Sequence, residues 1–544
     1  MVKINKAGAR TAKPSALSPV TTVAKDLKTF EGAAAYSRDA KSDLFLLATT
    51  SFFGEDTFYE KANTRNDRFI GLVHRVAKED PDWILQFLPW LRGVANIRTA
   101  SVVAAVEAAR IMAQADQPGM EVGPARRLLA ETLWRADEPA EALAYHLTVY
   151  GKKIPNPVRR GIADAARRLY TERNFIKWDS DRAAVRMADV IELTHPKPVD
   201  KSKFDHPNRR QSDLFKYIVD SRHRPTPVPD GLNMLKSREM LLADPNKLDF
   251  FTNIHDDPER VAGILRSAGM TWEQVSSWGA FTGKTWEGLI PTMGYMALLR
   301  NLRNFQDKGV SDKVLKQVAM RIGTEAEVLQ SRQLPYRFLS AHLEATHPIW
   351  ALALESALQY STANIPALGG RTLVLVDTSG SMTSGGLSAK SKITPMMAGA
   401  LFGVALASKG EDVDFYGFAN SAFQHPVRRG AGILRTVEAF CRRSGETGHG
   451  TEIAGSLRQT YRGHDRVVIV TDMQTFGGFH YGDVSSQVPA NIPIYAFNMQ
   501  GYAPAMMETG TTRHELGGLT DHTFKTIPMV EAGLAAGWPW ELQS

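Results

Sequence analysis

From about residue 30 to residue 366, apolar positions recur at three- and four-residue steps, the period of amphipathic helices. Residues 94–114 hold few breakers and many good helix formers. Residues 124–149 predict two short helices interrupted at Pro139. Over 285–304, Leu289, Met293, Met296, Leu299 and Leu302 form one apolar stripe and predict a helix. Further helices are predicted near 311–322 and 337–358, and convincing strand alternation is absent from this part. Short helices separated by Pro, Gly and Asp turns suggest stacked pairs, a HEAT-like α-solenoid, although no fixed repeat period is present.

After residues 363–370 the pattern changes. Residues 371–377 (RTLVLVD) and 466–472 (RVVIVTD) are compact apolar runs that end in Asp, and 412–418 and 492–497 read as two more strands. Helices are predicted between them at about 392–408, 431–442 and 452–461. Such alternation means a mostly parallel, doubly wound sheet covered on both faces, whose ligands bind beyond the carboxyl ends of the strands. The boundaries read as 1–29, 30–366 and 367–544, the first a basic flexible tail carrying Lys3, Lys6, Arg10 and Lys13.

Composition narrows the class. The chain has 544 residues, 43% hydrophobic and 23% charged, which excludes disordered, collagen-like and disulfide-scaffold proteins. No run approaches the roughly 18 apolar residues of a membrane span. With one cysteine, Cys441, and no secretory signature, the expected setting is a reducing cytosol. The net charge of +7 is uneven. Residues 151–225 hold 18 Lys and Arg against 10 Asp and Glu, whereas 368–544 hold 14 against 15. A local basic excess suits a polyanion, usually nucleic acid, and equally a solvated helical face.

The candidate chemistry lies at the strand ends. Asp377, Ser379 and Ser381 alternate in one strand-to-helix loop; Thr451 follows a glycine-rich stretch, and Asp472 closes another strand. Two carboxylates and three hydroxyls make an all-oxygen set suited to a hard divalent cation such as Mg²⁺. The plainer alternative is hydroxyls that only cap a helix N-terminus. A serine nucleophile would need a paired His, for which His449 and His480 are the candidates, and neither stands in a familiar pairing. The set resembles the metal-ion-dependent adhesion site of von Willebrand factor A domains, D-x-S-x-S followed by T and D. That resemblance implies that Asp377, Ser379, Ser381 and Thr451 surround the ion, with Asp472 direct or through water, and that a partner's carboxylate takes the open position.

Three helical segments carry a second resemblance: 44–60 (LFLLATTSFFGEDTFYE), 172–197 (ERNFIKWDS…ELTHPK) and 286–304 (WEGLIPTMGYMALLRNLRN). Together with the metal motif they resemble the TROVE-domain (Ro autoantigen) family. The resemblance implies a helical ring closed by the A domain, with no catalysis. It implies small structured noncoding (Y-like) RNA on a basic outer surface, single-stranded 3′ ends in the hole, and a 3′-exoribonuclease as a partner in RNA quality control or decay. A monomer and no membrane are the default expectations. The family's outer site implies roles for Arg173 and His195. Arg167, Arg168, Lys177, Lys197, Arg209 and Arg210 add phosphate contacts, Arg300 and Arg303 line the hole or only make surface ion pairs, and His195 and Trp178 offer stacking surfaces, the plainer role for His195 being a helix carboxyl cap. The competing expectation is a metal-dependent module that grips an acidic protein and has no RNA role.

Overall fold

The computed structural model describes residues 19–50, 53–114, 123–199, 210–247, 258–363, 365–476, 482–518, 524–532 and 537–541. Lys3, Lys6, Arg10 and Lys13 lie outside the described residues. The chain forms two compact units: one joins the residues up to Phe69 with those from Ser361 onward, and the other runs from Ile70 to Tyr360. No helix among the described residues is long and apolar enough to cross a membrane.

The first unit is built on the predicted sheet. Its strands are β1 (Thr22–Lys28), β2 (Ala34–Arg38), β3 (Arg371–Asp377), β4 (Asp412–Phe418), β5 (Ala422–Gln424), β6 (Arg466–Thr471), β7 (Ile494–Asn498) and β8 (Arg513–Gly517). Six of them form one sheet in the order β5-β4-β3-β6-β7-β8, parallel except where β5 joins β4. The apolar runs of β3 and β6 are buried throughout, as strands covered on both faces must be. On one face, Leu373, Leu375, Val467 and Ile469 pack with Ile453 and Leu457. On the other lies the helix Pro395–Lys409. It approaches so closely that a β-carbon on Gly403 would stand 2.7 Å from Val376 Cγ2.

β1 and β2 are a correction to the sequence reading, which expected a tail to residue 29 and no strand beyond it before residue 366. They pair as an antiparallel hairpin. The alternation is weak because β1 is largely exposed, and the anchor is remote. Arg38 donates to Glu515 through Nε (2.7 Å) and Nη2 (2.5 Å), and its Nη1 reaches Tyr502 O at 3.0 Å. Tyr36 and Ala505 exchange backbone hydrogen bonds of 2.9 Å.

The second unit is helical, as predicted, but it differs from the sequence reading at three places. Residues 285–304 are two helices, Gly283–Leu289 and Tyr295–Asp307, separated by a 3₁₀ turn at Ile290–Thr292. Pro291 sits in that turn and Gly294 at the next N-cap, so the stripe breaks there, and Leu298, Leu299, Leu302 and Phe305 form the buried face of the second helix. Residues 337–358 are likewise split, into Tyr336–Glu344 and Ile349–Ser361, with Pro348 between. Pro139 starts the helix Glu138–Tyr150 rather than interrupting one. Helices pack tightly where side chains are small: a β-carbon on Gly161 would meet Leu129 Cβ at 2.7 Å. Within this unit, early and late helices meet. Arg332 donates to Gly93 O at 2.8 Å and lies over the Trp134 ring at 5.2 Å, while Asn96 Nδ2 donates to Arg332 O at 2.9 Å.

His514, in β8, is fully buried against Tyr495, and neither ring nitrogen has a hydrogen-bond partner. Burial lowers its pKa to about 4. The folded state therefore rejects a proton that the unfolded chain accepts below about 6.5, and stability is lost as pH falls from there towards 4. His514→Phe is expected to flatten that acid limb, by about 3 kcal/mol at most, in urea unfolding measured at pH 7 and pH 4.5.

Candidate metal centre and nucleic-acid interface

β3 and β6 are hydrogen-bonded neighbours, and the chain leaves β3 for β4 on one side and reaches β6 on the other. The sheet's connections diverge at this point, leaving a crevice at the carboxyl ends. Asp377 is the last residue of β3 and Asp472 directly follows β6. Ser379 N donates to Asp377 Oδ1 at 2.8 Å, and Thr471 Oγ1 donates to Oδ2 at 2.5 Å. The Ser379 and Ser381 hydroxyls lie 3.2 Å apart. Ser379 holds the N-cap position of the short helix Gly380–Thr383, yet its side chain makes no capping bond. The helix-capping alternative for this hydroxyl is therefore not realised.

Backbone bonds tie the other loops to this one. Gly380 N donates to His449 O at 2.8 Å, while Thr451 O accepts from Phe476 N and Thr475 Oγ1, both at 3.1 Å. Asp377, Ser379, Ser381, Thr451 and Asp472 are all buried. Asp472 Oδ1 accepts from Gln474 N at 3.1 Å, but Oδ2 has no hydrogen-bond partner. Met473, next in the chain, is held at φ 69°, a left-handed conformation that costs a non-glycine residue roughly 1–3 kcal/mol. Such strain persists only when the surroundings fix the turn.

Burial pushes the Asp377 carboxyl above its usual range; Thr471 and Ser379 oppose the shift. Asp472 is raised further, by burial and then by the charge of Asp377. Neither has a Lys or Arg partner among the described residues. A buried anion without a counter-charge is unfavourable, and a divalent cation among these oxygens supplies one. The donor set thus fits a hard ion. It does not gather three or more acidic, His or Cys side chains among the described residues, so the hydroxyls are needed to complete it. No His of the described residues hydrogen-bonds either serine; His449 contributes its carbonyl, and His480 lies outside the described residues. Sequence reading missed Thr471, Gln474, Glu31 and Tyr59. The first adjoins Asp472, whereas the last two carried no local signal.

The expected RNA residues separate into two groups. Arg167, Arg173, Lys197, Arg210 and Arg300 are exposed and make no ion pair among the described residues. Arg173 and Lys177 stand one turn apart on the helix Glu172–Trp178, and the Lys177 pKa is lowered by burial and then by Arg173. Gln211 Nε2 donates to Arg167 O at 2.7 Å, which brings the start of the helix Gln211–His223, and Arg210 before it, to the end of the helix Asn156–Leu169.

Other members are already occupied. Arg168 donates to Ala130 O at 2.8 Å and to Leu133 O, closing the carboxyl end of the helix Pro124–Thr132. Arg303 pairs with Asp307 and Glu344, each at 3.3 Å. His195 is exposed and caps the helix Met187–Thr194 in a left-handed conformation, φ 51°. Arg135, at 4.3 Å, and Lys177, at 4.7 Å, lie against the Trp178 ring. Arg209 lies outside the described residues.

Residues 264–369 match the TROVE domain. The chain is similar to telomerase protein component 1 of Mus musculus, 40% identical over 74 residues, and of Rattus norvegicus, 40% identical over 105 residues. These matches cover 13% and 18% of this chain but only 3% and 4% of those relatives. Among solved structures, the crystal structure of the Deinococcus radiodurans RO (RSR) protein has the same fold. The TM-score is 0.59 at 16% identity, over 89% of this chain and 99% of that one.

Asp472→Asn removes one of two buried like charges while keeping the shape. In the presence of a chelator at pH 7.5 it is expected to stabilise the protein by about 1–3 kcal/mol. A carboxyl whose pKa is raised by folding weakens the fold increasingly as pH rises through that value, so the gain should shrink towards pH 4. Urea titrations of both proteins across this range provide the measurement.

Proposed function

We propose that this chain, whose residues 264–369 match the TROVE domain and whose fold is that of a Ro protein, is a noncatalytic RNA-binding scaffold. Small structured noncoding RNA of the Y-like kind is held on the exposed cations of the helical unit, and single-stranded RNA ends are a second ligand, with Arg300 on their path. The observation that carries this reading is the pair Arg173 and Lys177. Like charges four residues apart weaken a helix by a few tenths of a kcal/mol; neither side chain makes an ion pair among the described residues, and the more distant Glu273 and Asp137 offset the effect of burial and of Arg173 on Lys177 only in part. Arg167, Lys197 and Arg210 extend the same chemistry. A ribose-phosphate backbone neutralises such a group without needing base-specific contacts. Arg168 and Arg303 drop to structural roles, and His195 contributes an exposed ring from a fixed helix end.

The strand-end site is the second half of the proposal. Asp377, Ser379, Ser381, Thr451 and Asp472 would hold Mg²⁺, which supplies an attachment point for an anionic ligand. The inferred partner is a protein that presents a carboxylate, and a 3′-exoribonuclease acting on the bound RNA is the candidate. The setting is the cytosol, where Cys441 stays a half-buried thiol whose pKa burial raises to about 12.

Two measurements test the halves separately. The double variant Arg173→Ala, Lys177→Ala is expected to weaken binding of a small stem-loop RNA about tenfold at 150 mM salt. It should also flatten the slope of log affinity against log salt by about 1.5, since two phosphate contacts are removed. Unchanged affinity and slope in filter binding would reject the RNA site. Separately, Mg²⁺ added to chelator-treated protein should raise the melting temperature by a few degrees through ligand linkage, and Asp377→Ala should abolish that rise.

A further inference from the structure

The segment before β2 crosses the strand-end site. Thr29 Oγ1 donates to Thr475 O at 2.8 Å, and Phe30 N donates to Gln474 Oε1 at 2.9 Å. Gly32 makes an antiparallel bridge with Phe476. These three contacts fix residues 29–32 along the 474–476 strip, which also receives the backbone of Thr451 and holds Asp472. Glu31 is the residue between the anchors. It is half-buried, and Tyr59 donates its hydroxyl to Glu31 Oε1. Phe30 stacks on the Tyr59 ring with centroids 4.9 Å apart, and Tyr502 meets both rings edge-on at 5.5 Å, so the tyrosine is clamped.

The hydroxyl of Tyr59 links this segment to the metal-centre residues. Its pKa is raised by burial, by the bond to Glu31 and by the charges of Asp472 and Glu31, while a hydrogen bond with Ser381 opposes the rise. Glu31 in turn adds to the negative field on Asp472. A third carboxylate thus faces two buried ones, and the unpartnered Asp472 Oδ2 lies in the same field. Glu31 does not converge with the two aspartates as a joint ligand. Its reach into the site is through Tyr59 and through space.

We propose that Glu31, fixed by Tyr59, is an internal anionic cap on the strand-end cation site, a positioning residue that strengthens divalent-ion binding from just outside the donor set and covers the approach of an external carboxylate. The inference rests on the reading of that site as a cation site. Three carboxylates held together without a counter-ion repel one another, and a divalent ion among them adds attractions that outweigh those repulsions. An acidic partner must approach the ion past this fixed negative charge, which repels it, so docking is weaker than the donor set alone would give.

The test uses Mn²⁺ as the probe, read by electron paramagnetic resonance on the full chain, with wild type, Asp377→Ala, Glu31→Gln and Tyr59→Phe. Gln keeps an oxygen acceptor for Tyr59, so Glu31→Gln removes charge and leaves the hydrogen bond. Wild type should bind one Mn²⁺ and Asp377→Ala none. Glu31→Gln is expected to bind about tenfold more weakly, with its melting temperature in chelator unchanged or higher, which a merely structural role would not produce. Tyr59→Phe should fall between wild type and Glu31→Gln. If Glu31→Gln binds within twofold of wild type while Asp377→Ala abolishes binding, the cap is overturned and the cation site stands. If wild type binds no Mn²⁺, the cation site is overturned and the cap with it.

Discussion

Two carboxylates at the ends of adjacent parallel strands set the terms for the sheet unit. The register of β3 against β6 is fixed by apolar side chains buried on both faces, so Asp377 and Asp472 are carried into one crevice. Their separation is not adjustable without slipping that register, which would turn every core side chain to the other face. The surrounding loops answer with hydroxyls and backbone donors rather than with cations. Thr471, Ser379 and Gln474 satisfy three of the four carboxylate oxygens, and Asp472 Oδ2 is left over. Even the strained Met473 turn serves that arrangement, since it aims Gln474 N back at Asp472.

The readable part of this site was the part encoded by neighbours in sequence. An apolar run that ends in Asp is a strand end, and D-x-S-x-S places three oxygens in one loop whatever follows. Thr451 was legible from the glycine-rich stretch before it, and Asp472 because it closes a second apolar run. Glu31 and Tyr59 were not: no motif surrounds Glu31, and Tyr59 lies in the segment 44–60, which carries a family likeness but marks no cation site. Glu31 reaches it from the turn of a hairpin whose anchor, Arg38 to Glu515, spans 477 residues of sequence, and Tyr59 through its bond to Glu31. A partly exposed hairpin held by a buried ion pair shows weak alternation, and so its first strand read as tail.

The helical unit shows the converse limit. Counting charges found the basic region, but a count treats every guanidinium alike. The structure separates them by what each already touches. Arg168 satisfies carbonyls at a helix end, a role that any long donor in that place could fill, and Arg303 is held by two acids. Helix boundaries suffered similarly. The apolar stripe through 285–304 continued across Pro291 because periodicity records which residues are apolar, not whether the backbone between them can stay helical.

What distinguishes a binding surface from a solvated one is then a matter of residual electrostatic frustration. Several Arg residues in the helical unit pair with an acid; Arg92 with Glu138, Arg126 with Asp164 and Arg186 with Asp179 are examples. Against that background, Arg173 and Lys177 face each other on one helix turn, and the lysine's charge is already disfavoured by burial and by its neighbour. The acids on nearby helix starts are engaged elsewhere: Glu172 accepts from Met234 N and Leu235 N, and Asp189 from Arg186 N. Glu273 and Asp137 act on Lys177 from farther off and offset burial and Arg173 only in part. An external polyanion relieves the pair at once, and the same logic, with the signs reversed, applies to the carboxylates at the strand ends.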